Sequence, residues 1–164
     1  MNRIDAAFAR LRAERRSGFI AYLTAGDPSP ALTIPFVRAL EANGADIVEL
    51  GVPFSDPLAD GVVNQRSAER ALRRGVTLKT VLGLVARLRK ESEIPVVLFT
   101  YLNPVYAYGF ERFASDASRA GVDGVLSLDL PPEEASEYEA VLAARGSRTI
   151  FLVAPTTPPA RLRL

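Results

Sequence analysis

What most limits this chain is a repeated alternation of short apolar runs with stretches of helical periodicity. Residues 18–24 (with Phe19-Ile20-Ala21-Tyr22-Leu23), 47–50, 96–101, 124–128 and 149–153 read as strands. They are rich in Val, Ile and Leu and lack polar alternation, the pattern of strands covered on both faces in a parallel sheet. Residues 30–43, 62–74, 78–90, 110–120 and 133–145 read as helices, with Pro35 either in the first turn of its helix or kinking it. Such βα alternation specifies the α/β class. One turn is used twice: Asn43-Gly44-Ala45-Asp46 and Ala120-Gly121-Val122-Asp123 each end a helix with glycine and enter the next strand through aspartate.

A length of 164 residues suits one domain. Residues 1–16 read as a short amphipathic helix, with Ile4, Phe8 and Leu11 on one stripe. Its arginines could suit a transit peptide, but Asp5 and Glu14 and the scarcity of serine favour a helix packed on the body. No secretory apolar core follows, and the expected location is cytoplasmic. Residues 17–164 run from the first strand to the start of the helix after the fifth. Five βα units fit either a doubly wound sheet with strand order 2-1-3-4-5 or the first part of an eight-stranded barrel. The ending, with Thr156-Thr157-Pro158-Pro159 entering another helix, favours a TIM barrel with about three strands still to come.

Composition narrows the chemistry. Twenty Lys+Arg against 19 Asp+Glu leave a net charge of +1, which gives no electrostatic case for nucleic acid or an anionic membrane. No run approaches the roughly 18 apolar residues of a membrane helix. With no histidine and no cysteine there is no Ser-His-Asp triad, no thiolate nucleophile and no His- or Cys-bound metal. The dinucleotide and P-loop glycine fingerprints are missing. Lys79 and Lys90 lie on a helical stretch rather than at a strand end, against a Schiff-base mechanism.

Carboxylate chemistry is left, and the segment from Val48 to Gly61 carries it. Glu49 lies near the C-terminal end of an apolar strand, where reactive groups of parallel α/β folds sit. Desolvation there raises a carboxyl pKa towards the range useful for general acid–base work. Asp60 follows a long loop containing Pro53 and Pro57 and precedes Gly61, so the loop can bring it back towards Glu49. By position alone, a strand-end glutamate is more often solvated or ion-paired. Asp-Gly is more often a plain turn or helix cap, and Tyr22 and Tyr101 are more often core or rim aromatics than ligand contacts.

The blocks Leu23-Thr24-Ala25-Gly26-Asp27-Pro28, Glu49 to Gly61, Tyr101-Leu102-Asn103-Pro104, Asp129-Leu130-Pro131-Pro132-Glu133-Glu134 and Phe151-Leu152-Val153-Ala154-Pro155-Thr156-Thr157 occur in order and at consistent spacing. In these blocks the chain resembles the tryptophan synthase alpha chain family. The resemblance implies a (β/α)8 barrel, here its first five βα units. It implies cleavage of indole-3-glycerol phosphate to indole and glyceraldehyde 3-phosphate, with Glu49 exchanging a proton and Asp60 facing the indole nitrogen. Tyr22, Phe99, Tyr101, Leu126 and Leu128 match the indole pocket. Pro53, Asp56, Pro57, Asn103, Asp129 and Pro131 match the face that meets a beta chain in an alpha2-beta2 assembly. The resemblance implies no cofactor and no metal on this chain, with PLP on the beta partner, and phosphate-binding loops beyond residue 164. Val62 stands where the family usually has proline, and Phe99-Thr100 where it often has Met. The competing readings are a non-catalytic subunit that activates a beta chain and a five-stranded binding module of flavodoxin type; strand order decides the second.

Overall fold

The computed structural model describes residues 2–163. Five strands, β1 (Ile20–Thr24), β2 (Ile47–Gly51), β3 (Val96–Thr100), β4 (Gly124–Ser127) and β5 (Arg148–Ile150), form one parallel sheet in the order β1-β2-β3-β4-β5. Each strand therefore pairs with its successor, as in a barrel wall, and the doubly wound order is excluded.

The helices are α1 (Arg3–Ala13), α2 (Pro30–Ala42), α3 (Val62–Arg73), α4 (Leu78–Leu88), α5 (Leu102–Tyr108), α6 (Phe110–Ala120) and α7 (Ser136–Ala143). Three details differ from expectation. Helix α5 fills residues to which the sequence pattern assigns no element: Pro104 is its third residue, where the backbone N–H has no intrahelical acceptor in any case. The expected helix over 133–145 splits into a 3-10 turn, Pro132–Glu134, and the shorter α7. Strand β5 ends at Ile150 instead of 153, because among the described residues it pairs only with β4. Pro35 lies in the second turn of α2; Ala31, whose carbonyl loses its partner there, is exposed.

The sheet has two differently covered faces. Val48, Leu50, Val96, Leu98 and Val125 point outward into a core shared with Val81 and Val85 of α4 and Phe113 and Ala117 of α6. The concave face carries Ile47, Val97 and Leu126, which cluster with Ile4 and Ala7 of α1. Helix α1 thus plugs the end where the strands begin. Gly124 makes room for it, since a Cβ there would stand 2.8 Å from Ile4 Cδ1.

The repeated Gly-x-Asp turn sets the strand starts. Asp46 donates its N–H to the Phe19 carbonyl at 2.8 Å, and its Oδ2 accepts the Phe19 N–H at 2.9 Å. Asp123 does the same to Val96, at 3.0 and 2.9 Å. Each aspartate grips the first residues of the preceding strand. Both are buried, and both receive arginines: Arg10 and Arg16 on Asp46, Arg3 and Arg89 on Asp123. Arg3 and Arg10 belong to α1, so the plug is ion-paired to the strands it covers.

The Arg16 guanidinium, then the Phe19 N–H and Arg10, hold the Asp46 carboxyl well below the usual range. A carboxyl depressed by folding contributes stability above its unfolded pKa of about 3.9, lost as pH falls through the folded value. Asp46→Asn is expected to lower the thermal midpoint at pH 7 by about 2–8 °C. The gap to wild type should narrow as the pH falls below about 4. A thermal melt series followed by circular dichroism checks both.

Candidate active site

The site is built at the opposite end of the sheet, where the strands finish. Registration of the parallel strands fixes which side chains share a face. Tyr22 lies beside Glu49 and Glu49 beside Val97, while Gly51 lies beside Phe99 and Phe99 beside Leu126. With a period of two, Tyr22, Glu49, Phe99 and Leu126 all face the concave side, and Tyr101 and Leu128 continue it past the strand ends.

Glu49 is half-buried, and among the described residues nothing donates a hydrogen bond to its carboxylate. Burial alone pushes its carboxyl above the ordinary glutamate value. Next to it, Tyr22 leans across Gly51. A Cβ on residue 51 would stand 2.4 Å from the Tyr22 hydroxyl, so only glycine leaves the ring its place. Tyr22 packs edge-on to Phe99, with ring centroids 5.2 Å apart, and its hydroxyl lies 3.2 Å from Thr24 Oγ1. The Tyr22 hydroxyl is pushed up, first by burial and then by the charges of Asp60 and Glu49. Both carboxylates thus bear on one phenol, from neighbouring backbone.

Asp60 reaches the hollow on the loop between β2 and α3. Tyr101, only 5% exposed, organises that loop. Its hydroxyl accepts the Ala59 N–H at 2.9 Å and donates to Asp60 Oδ2 at 3.0 Å. Its ring meets Phe54 of the same loop at 5.3 Å. The Asp60 backbone is held as well, its N–H by the Pro57 carbonyl and its C=O by the Gln65 amide. Asp60 Oδ1 accepts no hydrogen bond from the described residues. Burial, with the charge of Asp60 added, keeps the Tyr101 phenol protonated and therefore a donor.

The remaining residues singled out in the sequence lie around this rim. Asp56, Asn103 and Asp129 are exposed, Pro57 and Pro131 are partly covered, and Pro53 is buried beneath the loop. Asp129 is tied inward: its Oδ1 accepts the Leu102 N–H at 2.7 Å, at the start of α5. Leu128, Asp129 and Pro131 line a cleft of about 470 Å³ between the ends of β4 and β5, together with Phe151 and Leu152. Among the described residues, no three His, Cys, Asp or Glu side chains group to hold a metal. No described helix is long and apolar enough to cross a membrane. Both lysines are exposed, Lys79 on α4 and Lys90 just beyond its end. Three contributions escaped the sequence reading: the Tyr101 bond to Asp60, the Gln65 bond to the Asp60 carbonyl, and the space left by Gly51. The first joins residues 41 apart, and no local pattern announces it.

Comparison with known proteins agrees with this arrangement. The family profile described as "Tryptophan synthase alpha chain" matches residues 8–164. The chain belongs to the tryptophan synthase alpha chain family. Relatives bearing the family name include those of Laribacter hongkongensis, 57% identical over 99% of this chain and 62% of the relative, and Burkholderia multivorans, 55% identical over 99% and 60%. The crystal structure of tryptophan synthase subunit alpha from Legionella pneumophila superposes with a TM-score of 0.97 at 46% identity, covering 99% of this chain and 63% of that one. The Pyrococcus furiosus tryptophan synthase a2b2 complex matches with a TM-score of 0.85 at 44% identity, covering 89% and 62%. The chain thus spans about three-fifths of the length of the curated relatives it matches, and its sheet is a five-strand arc of the family's TIM barrel.

Burial without a partner should be visible in solution. A ¹³C carboxyl titration is expected to place Glu49 above the ordinary glutamate pKa of about 4.3. A value at or below it would mean that the carboxylate has found a donor that the structure does not show.

Proposed function

We propose that these residues form the acid–base half of an active site that cleaves indole-3-glycerol phosphate to indole and glyceraldehyde 3-phosphate. The observation that carries this reading is a half-buried, unpaired Glu49 on the same concave wall as an Asp60 that keeps one oxygen free. The reaction is a retro-aldol cleavage. The side-chain hydroxyl gives up its proton as its carbon becomes an aldehyde, the bond to indole C3 breaks, and C3 gains a proton. A carboxyl raised by burial suits delivery of that proton; in this reading Glu49 gives its proton to C3 and the carboxylate left behind takes the hydroxyl proton, which restores it. The free oxygen of Asp60 suits the ring N–H, which gains positive character when C3 is protonated. Tyr22, Phe99, Tyr101, Leu126 and Leu128 provide an apolar and aromatic surround for the ring.

The reading includes a partner and a place. The product passes to a PLP-dependent beta chain in the cytoplasm, within an alpha2-beta2 assembly. PLP resides on that partner; the two lysines here stand on an exposed helical surface away from the strand ends. Asp56, Asn103 and Asp129 present exposed polar groups at the site's rim, supported by Pro57, Pro131 and the buried Pro53. Such a face suits a partner whose docking steadies the loop that carries Asp60.

The test joins residues 1–163 to the remaining C-terminal portion of the Laribacter hongkongensis relative and assays cleavage of indole-3-glycerol phosphate. The extended chain is expected to turn over, and Glu49→Gln to lower kcat by about 10²–10⁴-fold. The 164-residue chain alone is expected to show no turnover, because β1 and β5 each leave one flank unpaired among the described residues. Turnover by the extended chain that survives Glu49→Gln would overturn the assignment.

A further inference from the structure

From the hydrogen bonds at the end of β3 we infer that Tyr101 is the positioning residue for Asp60, holding Oδ2 so that Oδ1 faces the ring N–H, and that it links this carboxylate to the rim at Asp129. The inference rests on the function proposed above and deepens it.

Asp60 sits on a loop that its own backbone only partly secures. Leu58, two residues before it, is 93% exposed, and Val62 and Val63, just after it, are also exposed. A carboxylate on such a loop can rotate and present either oxygen. The Tyr101 hydroxyl removes that freedom, because it takes the Ala59 N–H and gives its own proton to Asp60 Oδ2. One group therefore fixes both the backbone before Asp60 and its side chain. Tyr101 can serve as the anchor because it is itself immobile: it is buried, its ring meets Phe54, and its carbonyl accepts the Thr100 hydroxyl at 3.0 Å.

The anchor is also connected outward. The next residue, Leu102, donates its N–H to Asp129 Oδ1, and the Leu128 N–H is bonded to the Thr100 carbonyl at 2.9 Å. A force applied to Asp129 at the rim thus reaches the backbone of Tyr101 through one hydrogen bond and one peptide unit. From there it reaches Asp60 through the phenol.

A double-mutant cycle in the extended chain tests the assignment. Tyr101→Phe keeps the ring and removes only the hydroxyl. It is expected to lower kcat about 10–100-fold, with KM changed by no more than about threefold, as for a misplaced catalytic group. If Tyr101 acts through Asp60, the same change made in the Asp60→Asn background should alter the residual rate by less than about twofold. An equal loss in both backgrounds, or no loss in the first, would overturn it. Amide exchange on the same proteins provides a second reading that does not depend on turnover. Tyr101→Phe should accelerate exchange at Ala59 by about tenfold or more while leaving β2 protected. Unchanged exchange at Ala59 would also overturn the assignment. Absence of cleavage by the extended wild-type chain would instead reject the proposed function, and the exchange result would still decide whether Tyr101 holds the loop.

Discussion

Two buried aspartates anchor this sheet. Asp46 and Asp123 each close a two-way hydrogen-bonded clamp on the strand before them and draw arginines from α1. A buried carboxylate is costly without donors, so each clamp holds only while its backbone N–H and guanidinium partners are all in place. The strand register that puts Tyr22 beside Glu49 starts from the first clamp, and the pairing of Val97 with Gly124 starts from the second. The proposed site at one end of the sheet inherits its alignment from electrostatics at the other, the division of labour expected of a barrel.

At the reactive end the same physics is used in the opposite sense. Asp46 is saturated with donors, which lowers its carboxyl pKa, whereas Glu49 receives none among the described residues and burial raises its pKa. Of two carboxylates three residues apart, one thereby serves the structure and the other keeps the raised carboxyl on which the proposed proton transfer rests. Asp60 has one oxygen committed to the Tyr101 phenol, and its other oxygen accepts no hydrogen bond from the described residues.

Much of this is legible in the sequence. The alternation of apolar runs and amphipathic stretches predicts every strand, and Glu49 stands out because a carboxylate interrupts one of them. What stays hidden has physical reasons. Helix α5 is short and contains Pro104, so it is too brief to show a helical period, while its start is stabilised by Asp129 from a distant loop. The Gly-x-Asp repeat is visible as a helix stop, but the arginines that fill each clamp come from elsewhere in the chain. Tyr101 reads as a core or rim aromatic, and nothing local shows that its hydroxyl holds residues 59 and 60. Pairings across the fold leave no periodicity to read.

The missing side chain at residue 51 has a consequence for substitution. Its space is occupied by the Tyr22 ring, whose hydroxyl would lie 2.4 Å from any added methyl. A larger residue at 51 would evict the tyrosine from above Glu49, hydrating the carboxyl and undoing the burial that raises it. A larger side chain at 51 therefore fits only if the residue 22 ring moves or shrinks, so the two positions behave as one steric unit.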